Sequence, residues 1–319
     1  MARIDSLANF LEDVANAIRL KKGTSGPINC VDFDTEIASI QGGETPTPPS
    51  SDKCLISIID DDGTNRTSDT YTGIRSFLRS KNIPMAFAVP TNAPGGGGSY
   101  SLAQLKQMVS EGDEVLMHGV TTSDNANSCT LEEFKTMVDA GIVWASENGF
   151  SDDIFVYPMG LQPGKTGVDV DDKIGYLETK GIRAAFNVNT SIENSNTEGY
   201  ENWYRYENGH AGLGMFNIVP LATMPNGYSK ALLLNRCEFL RNNLTVNWWK
   251  TMIDDAIQSK RYICFFFHSY QSAFSTRDEH GKTATDYFKD LIEYIIDTYG
   301  EAVEFVTPSS AMDIINLVQ

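Results

Sequence analysis

Cys54-Leu55-Ile56-Ser57-Ile58-Ile59-Asp60-Asp61-Asp62-Gly63 is the stretch on which the reading of the whole chain turns. Six residues, five of them apolar or cysteine, run directly into three consecutive carboxylates and a glycine. An unbroken apolar run bounded by turn residues marks a strand covered on both faces. Carboxylates crowded at the end of such a strand repel one another. A bound cation, a shared proton or a basic partner must offset that repulsion. A strand that simply ends in an Asp-Gly turn, with Asp favoured for local hydrogen bonding, is the other reading of the same residues.

Downstream, strand-like runs alternate with helical patterns to the C-terminus. Helices are expected at 71–79, from Leu102, at 131–148, 172–180, 246–260 and 283–299. Strands are expected at 83–89, 114–117, 154–157, 182–188, 231–234, 262–267 and 303–306. Repeated strand–helix units imply a parallel sheet, and about seven or eight of them imply closure into a distorted (β/α) barrel. Residues 189–230, rich in Asn, Gly and Tyr and without a clear period, read as a long surface insertion. The glycine run 95–98 lacks both the Gly-x-Gly-x-x-Gly and the Gly-Lys-Ser/Thr patterns, so it reads as a flexible loop and not a phosphate cradle.

Upstream lies a different kind of sequence. Leu7, Phe10, Leu11, Val14 and Ile18 recur at helical spacing, and Lys21-Lys22-Gly23 ends that helix with positive charge and a glycine. A second amphipathic segment carries Phe33, Ile37 and Ile40. Two short helices bury too little surface to be stable alone, so residues 1–41 should dock on a larger assembly or on copies of themselves. The Pro-, Gly-, Thr- and Ser-rich residues 42–53 read as an extended linker, leaving 54–319 as the barrel.

Composition excludes several partners. The 319 residues carry 25 Lys and Arg against 42 Asp and Glu, a formal charge of −17. Such a chain is repelled by nucleic acid and by anionic membranes. No run approaches a membrane span, and the N-terminus lacks the apolar core of a signal peptide. Folding in a bacterial cytoplasm is the expectation, with action outside the cell if the protein is carried on a virion. Five scattered cysteines without metal-finger spacing are expected to be reduced packing residues.

In a parallel barrel, residues just after each strand share one rim, where active sites are built. Here that rim would gather Asp60, Asp61 and Asp62, His118, the Pro158-Met159-Gly160 turn, and His268. A carboxylate and two imidazoles on one rim suit a borderline metal such as Zn²⁺, and a neighbouring Asp could act as general base.

This order and spacing resemble the polysaccharide deacetylase family, metal-dependent carbohydrate esterases that remove N- or O-acetyl groups from glycans. The family's Thr-Phe-Asp-Asp-Gly falls on Ile59 to Gly63, which implies Asp61 as base and Asp62 as metal ligand. Its His-Ser/Thr-x-x-His falls on His118 to Thr122, implying His118 as a ligand but leaving Thr122 where the second histidine should stand. Its Arg-x-Pro-Tyr-Gly falls on Val156 to Gly160, keeping Pro158 and Gly160 on the substrate side while Val156 replaces the arginine that orients the base. Its Leu-x-Leu-His falls on Phe265 to His268, implying His268 as general acid. The stretch Val14 to Ser25 resembles a small N-terminal segment of tail-associated proteins of phages and prophages, which implies tail attachment through residues 1–41.

Thr122 is a much poorer Zn²⁺ ligand than imidazole, and two strong ligands hold a divalent ion weakly. Asp60, Asp124, His210 and His280 are candidate substitutes, and Arg236 a candidate for the missing arginine, with Arg183 less able to reach. Trp203, Tyr204 and Tyr206 could stack on sugar faces. Two functions are therefore expected to compete: metal-dependent deacetylation of a bacterial surface glycan, and glycan recognition by a barrel that has lost turnover.

Overall fold

The computed structural model describes residues 53–126, 128–160, 170–187, 215–217, 231–235, 237–238, 250, 253–254, 257 and 261–317. The expected helical module 1–41 and all but the last residue of the linker fall outside that set, as do Trp203, Tyr204, Tyr206, His210 and Arg236.

The strands are β1 (Cys54–Asp61), β2 (Ala86–Val89), β3 (Glu114–Met117), β4 (Ser151–Val156), β5 (Ala184–Asn187), β6 (Met215–Asn217), β7 (Ala231–Asn235), β8 (Cys237–Glu238), β9 (Arg261–Phe267) and β10 (Val303–Phe305). Among the described residues, every pairing between these strands is parallel except that of β6 with β9. The ladder runs β9-β1-β2-β3-β4-β5-β7, and β8, one residue beyond β7, pairs with β9. The sheet thus curls round so that one stretch of chain touches both its sides. β6 lies inside the segment expected to be a long surface insertion; three residues are too few to show a period, so only its antiparallel pairing with Arg261–Ile263 reveals it.

Helices α1 (Ile74–Ser80), α2 (Leu102–Ser110), α3 (Leu131–Asn148), α4 (Val170–Thr179), α5 (Ala284–Tyr299) and α6 (Pro308–Leu317) complete the described elements used below. Their starts are written locally. Ser101 with Gln104, Thr130 with Glu133, and Thr283 with Asp286 each form a reciprocal capping box, which satisfies two otherwise orphaned groups at the helix start. α1 begins at Ile74 instead of Tyr71 because the preceding residues are spent on the loop that follows β1. β2 begins after Pro84, which has no N–H to give a ladder.

β1 shows why its apolar run is unbroken. Cys54, Ile56 and Ile58 pack with Phe87, Met117, Phe155 and the helix residues Phe134, Leu291 and Ile292 in one cluster. Leu55 and Ile59 pack with Ala86, Ala88, Val156, Phe186, Tyr262 and Phe266 in the other. One cluster lies under the helices and the second lines the inside of the curl, so alternation along the strand serves two apolar layers.

Register then positions the strand ends. Asp60 is level with Phe267 of β9, so Asp61 and His268 follow side by side. Asp61 is level with Ala88, and Val89 with Met117, so His118 emerges next to the turn that holds Asp62.

Candidate active site

Sheet alternation sends consecutive carboxylates to opposite sides. Asp60 shares the parity of Ile56 and Ile58, and its side chain is fully buried. Both its oxygens are occupied: the Ser269 backbone N–H donates to Oδ1 at 2.9 Å and the Ser269 hydroxyl to Oδ2 at 2.8 Å. Burial pushes the Asp60 carboxyl well above the usual carboxylate range, opposed by the Ser269 hydrogen bonds and the nearby His268. Ser269 also meets the Thr64 hydroxyl at 3.1 Å. A buried clamp therefore ties the end of β9 to the end of β1.

Asp61 has the opposite parity and is 2% exposed. Asp62 follows in the left-handed region, at φ 72°, a conformation that a non-glycine residue adopts rarely. Gly63 is left-handed too, at φ 61°, and a Cβ there would meet the Val89 side chain at 3.0 Å. The turn is buttressed by the glycine loop, since Asn65 N–H donates to Gly98 C=O at 2.9 Å and Tyr100 N–H to Gly63 C=O at 3.1 Å. That loop is hydrogen-bonded support and holds no phosphate-binding pattern.

His118 is 2% exposed. Its Nδ1 lies 3.0 Å from the Val156 carbonyl, which can only accept, so Nδ1 carries the proton. In the neutral ring Nε2 is left with its lone pair, 3.5 Å from Asp62 Oδ1. That separation is long for a hydrogen bond. It is close to the ~3.3 Å spanned by two ligands of one tetrahedral ion with bonds of ~2.0–2.1 Å. The donor chemistry and the fixed tautomer therefore fit a divalent cation held by this pair, and Val156 supplies the orienting carbonyl. Among the described residues no third His, Cys, Asp or Glu joins them in a metal-holding group.

His268 Nε2 is 3.9 Å from both Asp61 Oδ2 and Asp62 Oδ2. The structure thus brings together Asp61, Asp62, His118 and His268 from three strand ends. Thr122 is exposed on the loop after β3. Asp124 is spent on that loop: its Oδ2 accepts from the N–H groups of Val120 at 2.7 Å and Thr121 at 3.1 Å, and its Oδ1 from the Thr121 hydroxyl at 2.8 Å. His280 is a surface residue, 71% exposed, beside Glu279. Arg183 pairs with Asp153 and Asp313 at the opposite end of the strands.

Pro158 is buried, and its ring packs where a Cβ on Gly119 would come within 2.7 Å of it. With φ +72° and no room for a side chain, Gly119 is a position only glycine fills without strain. Gly160 closes the same short turn, in which Met159 is left-handed and 57% exposed.

One site residue is absent from the sequence reading. Tyr270 donates its hydroxyl to Asp62 Oδ2 at 2.9 Å, and partial burial together with the Asp62 charge pushes its phenol upward. Its ring meets that of His268 edge-on, centroids 5.5 Å apart. The available signal was position, two residues past the histidine that ends β9.

No family model and no curated protein matches the chain. Solved structures do. A protein of the polysaccharide deacetylase type from Mycobacterium smegmatis is similar at TM-score 0.53 and 11% identity, over 84% of this chain and 92% of that one. The PuuE allantoinase is similar at TM-score 0.54 and 11% identity, over 93% and 99%. A polysaccharide deacetylase-type protein from Pseudomonas aeruginosa PAO1 is similar at 0.52 and 11%, over 91% and 97%. This is the polysaccharide deacetylase fold. At such identity the likeness extends to architecture, and chemistry must be argued from the site. No helix among the described residues is long and apolar enough to cross a membrane.

Proposed function

We propose that the protein hydrolyses acetyl groups on a bacterial surface polysaccharide, using Asp61 and His268 as the proton-transferring pair. The observation that carries this reading is the convergence of Asp61, Asp62, His118 and His268 at Nε2–carboxylate distances of 3.5–3.9 Å on one rim. Asp62 Oδ1 and His118 Nε2 would hold a divalent ion, Zn²⁺ by ligand type. When bound, that ion supplies Lewis-acid polarisation of the acyl carbonyl.

The chain's own groups supply the proton steps. Asp61, nearly buried at the strand end, accepts a proton from the attacking water as the water oxygen bonds to the acetyl carbon. His268, 23% exposed and level with Asp61, then donates a proton to the departing amine or alkoxide as the C–N or C–O bond breaks. Acetate and a free amine or hydroxyl result. The turn of Pro158 and Gly160 borders the same rim, and Trp203 and Tyr204 would add stacking faces for a sugar. Residues 1–41 would attach the barrel to a phage or prophage tail, which would place its activity outside the cell.

A second reading, glycan recognition without turnover, is favoured by one observation: Thr122 is exposed on the loop and no third His, Cys, Asp or Glu completes the Asp62–His118 pair among the described residues. The two separate on one experiment. The full chain, purified without chelator, is assayed for acetate release from an acetylated glycan and a small acetyl ester, with and without added Zn²⁺. Metal-stimulated release that Asp61→Asn abolishes supports hydrolysis. Glycan binding by wild type and Asp61→Asn alike, with no acetate from either, establishes recognition instead.

A further inference from the structure

We infer that Tyr270 is a positioning residue for Asp62, holding one carboxylate oxygen so that the other is presented with His118 to a metal ion; this rests on the metal-binding reading above. Asp62 has two distinguishable oxygens. Oδ1 faces His118 Nε2 at 3.5 Å, and Oδ2 accepts the Tyr270 hydroxyl at 2.9 Å. His118 is itself held from behind by the Val156 carbonyl at 3.0 Å. Each member of the pair thus carries one outer hydrogen bond on the atom that does not face its partner. That is the arrangement by which metal ligands are oriented, and loss of such an outer partner lowers metal affinity by about 10–100-fold.

Tyr270 is unusual as a surface residue. It is 49% exposed, yet its backbone is fixed from inside by the Asp60–Ser269 clamp, and Gln271 N–H closes a turn on His268 C=O at 2.9 Å. A half-exposed side chain on a rigid base can reach a chosen oxygen without help from core packing. Asp62 needs that help. Its left-handed backbone, at φ 72°, sits in the turn directly after β1, and an unheld carboxylate there could rotate away from His118. In a site with two strong ligands, such rotation removes half of the donor set.

Tyr270→Phe tests the inference, because it keeps the ring and deletes only the hydroxyl. Full-length wild type and variant are titrated with Co²⁺, followed by visible absorption, and with Zn²⁺ in competition with a chromophoric chelator. One Co²⁺ per wild-type chain is expected. Tyr270→Phe should raise the dissociation constant about 10–100-fold and alter the Co²⁺ spectrum, with the melting temperature of the chelated protein unchanged. If wild type binds stoichiometrically and Tyr270→Phe matches it in affinity and spectrum, the role of Tyr270 is overturned and the metal pair stands. If wild type itself takes up no Co²⁺ or Zn²⁺, the metal reading fails and the inference falls with it.

Discussion

Carboxylates stand at both ends of the parallel strands, and the two ends treat them differently. Before β3, Arg75 donates to Asp113 at 2.6 Å and to Glu111 at 2.5 Å, while Asp113 also accepts the Met85 N–H at 3.1 Å. Glu114 at the start of β3 accepts from the Ser151 hydroxyl at 2.5 Å, and from both the hydroxyl and, at 3.1 Å, the N–H of Ser309 at the start of α6. Each of these carboxylates is engaged directly by hydrogen-bond donors. At the other end Ser269 closes off Asp60 and Tyr270 holds one oxygen of Asp62, but Asp62 faces His118 and His268 across 3.5 and 3.9 Å, gaps too long for hydrogen bonds. A closed network adds rigidity, whereas an open one leaves acceptors to meet a ligand or a proton. On the proposed function, the difference would assign stability to the N-terminal ends of the strands and chemistry to their C-terminal ends.

Substitutions can break that assignment. The largest effect should come from Asp61→Asn, which removes the proposed proton acceptor and is expected to cut acetate release by about 10²–10⁴-fold. Its urea midpoint should match wild type; a variant that loses activity by unfolding would blur the two ends. At the opposite end Arg75→Met strands the nearly fully buried Asp113 and should cost about 3 kcal/mol in urea unfolding, as for other broken buried pairs. Activity per folded molecule should persist, and its loss would show that the ends are coupled.

Gly119→Ala lies between these cases. The left-handed backbone and the 2.7 Å approach to Pro158 predict a loss of about 1–3 kcal/mol. Because His118 is its neighbour, activity should fall with stability, and a change in one alone would separate the loop from the site. Glu114→Gln sharpens the comparison through pH. Burial pushes the Glu114 carboxyl upward, opposed by its serine hydrogen bonds. A carboxyl raised on folding holds its proton more tightly in the native state, so its contribution is full below the ordinary value of about 4.3 and is lost as pH rises through the folded value. The melting temperature of Glu114→Gln relative to wild type should therefore climb above about pH 4, and a flat difference would refute the direction. The smallest effect is expected from Lys282→Ala, whose exposed pairing with Asp290 should leave both readouts unmoved.

Much of the scaffold is legible along the chain because its causes are short-range. Leu131–Asn148 is bracketed by Thr130, Glu133 and Gly149, which write both helix ends, and the apolar run of β1 announces burial on both faces. Alternation could also have separated Asp60 from Asp61, since odd and even positions of one strand must face different layers. Loops carried less. Four-residue spacing from His118 says nothing about where Thr122 comes to rest once Gly119 turns the backbone and Asp124 gathers the loop's own N–H groups.

By itself, then, the sequence determined the strand–helix alternation, the acidic terminus of β1 and the histidines that end β3 and β9. Only tertiary structure decided what those groups meet. The register of β9 on β1 brings Ser269 and Tyr270 to Asp60 and Asp62 across more than two hundred residues, turning one carboxylate into a clamp and holding the next from outside. Propensity and periodicity act over a few residues, and the destination of a side chain in a loop is set by strand pairing that no local pattern encodes.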